Sequence, residues 1–176
     1  AEPMKKQKFF AEVGTTAACT LRLLLGAEFS GQGLKERVDA REGRRRFIVF
    51  ADSWFGSVKL AESLKLLWRE ERDDGSYEYF IRKDLGLNPK APEICAAVKT
   101  NSGWFPKQEL EKKMDKWPSG SYLVLECKTP ETDVELVAIG YKYNARKVLC
   151  FIMTKNAGST APGPRPYIAK FPDKFG

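Results

Sequence analysis

One acid in this chain stands where an acid can do chemistry. Asp52 directly follows the apolar run Phe47, Ile48, Val49, Phe50 and Ala51. Consecutive apolar residues, rather than an alternating set, suit a strand covered on both faces within a parallel sheet. A carboxylate at the carboxyl end of such a strand lies where open α/β sheets keep ligands and catalysis, and its hard oxygens suit a divalent cation. Asp and Ser are equally good helix N-caps, so spacing alone also allows Asp52 to be a cap. Lys99 closes a second apolar run, Ile94 to Val98. On a neighbouring parallel strand it comes beside Asp52, either to neutralise a phosphate or as an ordinary solvated strand end. Arg44, Arg45 and Arg46 enter the first run from its other end, as a solvated strand entry or as a phosphate contact.

The remaining acids offer less. Asp73 and Asp74 are adjacent, but they precede Gly75 in a polar stretch, which is turn chemistry. Glu126, Asp133 and Glu135 fall in a β-rich block, where an exposed face or a turn explains them. The chain has no histidine, which removes Ser-His-Asp and Cys-His catalysis, imidazole acid–base chemistry and His-ligated zinc from its own residues. Cys19, Cys95, Cys127 and Cys150 are widely separated among apolar neighbours with no CxxC pair, the pattern of reduced, buried thiols in an intracellular protein.

With 176 residues and 43% hydrophobic composition, the chain is long and apolar enough for a real core. Its 30 Lys and Arg against 23 Asp and Glu give a net charge of +7, which favours an anionic partner without choosing among DNA, RNA and an acidic surface. No apolar run approaches the length of a membrane span. The opening AEPMKKQKFF is neither a signal peptide nor a clean transit sequence, and reads as if cut from a longer chain.

These residues must be positioned by a small set of elements. Phe9, Phe10, Val13, Ala17, Ala18, Leu21 and Leu24 predict a helix over 8–25, stopped by Gly26. Phe55, Val58, Ala61, Leu64 and Trp68 mark the apolar stripe of a helix following Asp52. The charged stretch from Arg69 to Glu93 is too long to be structureless. Ile94 to Val98 then reads as a strand parallel to 47–51, with the helix as a right-handed crossover. Trp104, Phe105 and Pro106 precede a predicted helix over 107–114, and core packing is the expected role of both aromatics. SYLVLECKT, VELVAIGYKY and KVLCFIMTK predict three antiparallel strands joined by tight connections. The Pro- and Gly-rich segment from Asn156 has little capacity for regular structure.

ADSWFGSVKLAESL, VKTNSGWFPK, VAIGYKYNARKVLCFI and GSTAPGP together resemble the transposase domain of the piggyBac family and of piggyBac-derived host proteins. The resemblance runs from about residue 9 to the end, and DSWFGS is its most specific part. It implies an α/β fold in which residues 1–101 form part of a catalytic domain resembling ribonuclease H, a parallel strand–helix–strand unit. Residues 102–176 are then a β-rich antiparallel insertion and a Pro- and Gly-rich tail. It also implies that Asp52 is the second of three aspartates that hold Mg²⁺, with the first upstream of Ala1 and the third downstream of Gly176. The expected parent cuts and joins DNA strands in the nucleus, a DNA recombination activity. The chain alone, with one matched acid of three, is expected to be inactive, because two-ion phosphoryl transfer needs several carboxylates around ions about 4 Å apart. A domesticated, non-catalytic module that binds nucleic acid or protein, and a remnant that folds poorly, are the other expectations. Oligomeric state leaves no signature in the sequence.

Overall fold

The computed structural model describes residues 9–25, 48–75, 77–99 and 103–158. Arg44, Arg45, Arg46 and Phe47 lie outside the described residues, as do the segment after Gly158 and the pair Thr100 and Asn101.

The predicted amino-terminal helix is two helices, α1 (Phe10–Val13) and α2 (Thr15–Leu25). Gly14 separates them at φ 77°, a left-handed setting that a residue with a side chain avoids. Strand β1 (Ile48–Ala51) leads through a turn to helix α3 (Val58–Lys65). That helix ends sooner than its apolar spacing predicted. Trp68 lies instead in β2 (Leu67–Glu71), which forms a two-stranded antiparallel sheet with β3 (Tyr77–Ile81). The charged connection thus owes its structure to a hairpin, and Asp73 and Asp74 sit in its tight turn with Gly75 at φ 76°. Strand β4 (Glu93–Ala97) follows, then α4 (Lys107–Lys113), β5 (Tyr122–Lys128), β6 (Glu135–Asn144), β7 (Lys147–Thr154) and a short 3₁₀ turn at Lys155–Gly158.

Strands β1, β4, β7, β6 and β5 make one five-stranded mixed sheet in that order. β1 pairs parallel to β4, with Ala51 opposite Ala96, as the strand–helix–strand expectation required. β5, β6 and β7 form the predicted antiparallel meander. The meander is not set apart, however: β7 pairs antiparallel with β4, so one sheet runs across the 101/102 boundary.

The register assigns every residue to a face. Val49, Ile94, Ala96, Ala138 and Ile152 point to the same side, where they pack with Leu60 and Leu64 of α3 and Leu110 of α4. Helices α1 and α2 extend this layer by packing on α3, with Leu21 fully buried. The opposite face carries Phe50, Cys95, Ala97, Val124, Val137, Ile139, Phe151 and Met153, none of them buried. Phe50 is 77% exposed, so among the described residues β1 is covered on one side and not on both. Its run of apolar residues prepares it for two layers, and the described residues supply one.

Candidate functional site at the carboxyl rim of β1 and β4

Asp52 is the first residue past β1 and is exposed to solvent. Its Oδ1 accepts the backbone N–H of Trp54 at 2.9 Å, and its carbonyl accepts the N–H of Phe55 at 3.2 Å and of Gly56 at 2.9 Å. The carboxylate therefore belongs to a turn that closes on itself, as Asp side chains do at strand ends. Oδ2 has no partner among the described residues. The helix cap is not Asp52. Ser57 holds that place, its Oγ accepting the N–H of Leu60 at 3.1 Å, five positions further on. Residues 52–56 are left as a separate structural unit between strand and helix.

Gly56 lets that unit dock. A Cβ at this position would lie 1.8 Å from the carbonyl oxygen of Ala97, so only glycine allows the turn to rest on the end of β4. The docking brings the chain after β4 alongside. Lys99 Nζ sits 3.6 Å from the centroid of the Trp54 ring, a cation–π contact on an indole that is 66% exposed. Asp52 and Lys99 thus share the carboxyl rim of the parallel pair, as the sequence suggested, yet they make no ion pair with one another. Trp54 stands between them in the chemistry. Periodicity gave it no place, since it belongs to neither strand nor helix; an aromatic stranded in a turn beside an acid was its signal.

The other aromatics divide. Phe105 is buried as expected, but Trp104 is 84% exposed and holds φ 67°, outside the core. It borders a cleft of about 800 Å³ between α3 and the start of α4, with Glu62, Lys83 and Glu131 on its polar side.

A magnesium site needs several oxygen ligands, commonly a few carboxylates with water and substrate. Among the described residues no group of three or more His, Cys, Asp or Glu is placed to hold a metal. Asp52 offers one open carboxylate oxygen, so these residues do not complete a site. The other acids that the sequence offered lie away from this rim. Glu135 pairs with Lys155 at 3.3 Å and Lys128 at 3.8 Å, Asp133 lies in a turn at φ 53°, and Glu126 is on the exposed sheet face. The thiols are no substitute. All four cysteines are free, and burial pushes Cys95, Cys127 and Cys150 up, which keeps them protonated and poorly nucleophilic; Cys19, contrary to expectation, is exposed.

At the opposite rim a second polar cluster went unseen in the sequence. Lys65 at the end of α3 donates to Glu93 Oε1 at 2.8 Å, with both side chains nearly removed from solvent. Glu93 Oε2 is buried without a hydrogen-bond partner and borders a cavity of about 270 Å³. A pair 28 residues apart in sequence has no local signal.

Among the described residues no helix is long and apolar enough to cross a membrane. No family model matches the chain, and no curated protein matches it. Among solved structures it has a distant neighbour in a piggyBac transposase, seen in a cryo-electron microscopy structure of its synaptic complex with hairpin DNA. The two are 20% identical with a TM-score of 0.36, over 73% of this chain and 22% of the transposase. The chain therefore spans about a fifth of the length of that protein.

Proposed function

We propose that the chain is a portion of a piggyBac-like transposase domain of the ribonuclease H type, whose complete form cuts and joins DNA strands by metal-dependent phosphoryl transfer in the nucleus. Residues 1–101 belong to its catalytic portion and 102–176 to its β-rich insertion and tail, the two joined in one sheet through β4 and β7. The supporting observation is the Asp52 carboxylate, exposed just beyond a parallel-paired strand, with one oxygen tied to its own turn and the other open. In the complete domain Asp52 is one of the carboxylates around Mg²⁺, Lys99 faces a DNA phosphate near the ions, and Arg44, Arg45 and Arg46 contact flanking DNA. With one carboxylate the chain alone does not assemble that centre and leaves DNA uncut.

Paramagnetic Mn²⁺ as a stand-in for Mg²⁺ tests the role of Asp52. Titration followed by amide NMR should broaden Trp54, Phe55 and Gly56 first, and Asp52→Asn should abolish that selectivity. Broadening spread evenly over surface carboxylates removes Asp52 from metal chemistry. Plasmid cleavage by this chain with Mg²⁺, lost in Asp52→Asn, overturns its inactivity.

The net charge of +7 favours a second reading, a domesticated module that binds nucleic acid without cutting it. Salt-dependent binding that ignores Mg²⁺ and is unchanged in Asp52→Ala would replace the first reading by this one.

A further inference from the structure

The feature at the rim that metal chemistry leaves unused is Trp54. A large aromatic side chain normally contributes through burial, and this one is 66% exposed on a segment whose backbone is fully tied down. The main-chain N–H of Trp54 is held by Asp52 Oδ1, the following two main-chain N–H groups by the Asp52 carbonyl, and the turn is seated on β4 through Gly56. The backbone beneath the indole is thus ordered in advance, which lowers the cost of fixing the side chain when something stacks. Lys99 approaches its ring from the neighbouring strand end at 3.6 Å.

We infer that Trp54 is a stacking platform for an unpaired nucleobase, and that Lys99 takes the phosphate attached to the stacked nucleotide. The inference rests on the proposed action on DNA and narrows its substrate to one with a base out of the duplex stack beside the Asp52 carboxylate. Three physical points support it. Aromatic faces accept any base, because every base presents a π surface. Lys99 covers one face of the ring, which leaves the other to a base and holds positive charge within reach of that nucleotide's phosphate. The backbone that carries the ring is tied, through the Trp54 main-chain N–H, to the very carboxylate proposed to hold metal, which keeps a stacked base beside the scissile phosphate.

The test is binding of fluorescein-labelled oligothymidylate, and of a fully paired duplex, measured by anisotropy over a series of salt concentrations. For Trp54→Ala we expect about tenfold weaker binding to the single strand, no change for the duplex, and an unaltered salt slope, since no phosphate contact is lost. Trp54→Phe should recover part of the loss. Lys99→Gln should lower the single-strand salt slope by about 0.7, one phosphate contact. Trp104→Ala, which removes an indole more exposed than Trp54, should bind as the parent chain does. Single-strand affinity undiminished in Trp54→Ala, or equal losses on both nucleic acids, overturns the platform while leaving the action on DNA in place. No salt-dependent binding of either nucleic acid by the unaltered chain overturns both.

Discussion

Gly56→Ala is the sharpest probe of how the rim is assembled. The added methyl carbon would meet the Ala97 carbonyl oxygen at 1.8 Å, the Ala97 carbonyl carbon at 2.9 Å and the Ala96 Cβ at 3.0 Å. Carbon–oxygen contacts do not close below 3.0 Å, so the turn or the strand end must move by more than about 1 Å. Neither yields easily. Ala96 is paired on both sides, with Ala51 of β1 and Ile152 of β7, Ala97 is paired with Phe151 of β7, and the turn is held by three hydrogen bonds to Asp52. Overpacking against rigid backbone costs about 1–3 kcal/mol, and the upper half of that range applies here because no flexible side chain can give way. Alanine recovers about 0.4–1 kcal/mol from a stiffer unfolded chain, which does not offset it. The net loss is about 1–2.5 kcal/mol. In urea unfolding followed by circular dichroism, with a slope of about 2 kcal/mol/M, the midpoint should fall by about 0.5–1.2 M. The Trp54 indole resonance should shift as well, because the ring leaves Lys99. A Gly56→Ala chain as stable as the parent, with that resonance unmoved, would show that the turn does not rest on β4 and would refute the account of the rim.

Two further changes test the scaffold. Lys65→Met strips the cation from a buried carboxylate and should cost about 3–5 kcal/mol, while Lys65→Met with Glu93→Leu should restore most of it; equal stability of the single variant and the parent in urea would show that the pair is solvated. Trp104→Gly should leave stability unchanged or raise it by up to about 1 kcal/mol in thermal unfolding, since it relieves φ 67° and exposes no core; a loss above about 1 kcal/mol would mean that the indole is packed.

What the sequence made legible was whatever repeats along the chain. The three meander strands were visible because runs such as VELVAIGYKY and KVLCFIMTK are long and rich in β-branched and aromatic residues. Ile94 to Val98 was visible as an uninterrupted apolar run. The β2–β3 hairpin was not, because its faces carry Arg69, Glu70, Glu71 and Glu78 among the aromatics and so read as a charged loop. The helix start was misplaced by five residues because Asp52 and Ser57 are both able caps, and only the backbone turn between them decides which one caps. For the candidate site, the residue types at Asp52 and Lys99 and their shared rim were readable from strand order. Their relation through Trp54 was not, since it depends on how closely a glycine approaches a carbonyl in another strand.

The uneven cladding of the sheet sets two different rules for substitution. On the helix-covered side, Ala96, Ala138 and Ile152 are judged by volume, and one extra carbon matters. Across the pleat Phe50 is exposed and Val137, Phe151 and Met153 are half-buried with no second layer among the described residues, so polarity counts there beside fit. Solubility and thermal stability are most nearly separable at Phe50, where a hydrophilic replacement removes exposed apolar surface and leaves the packed layer untouched.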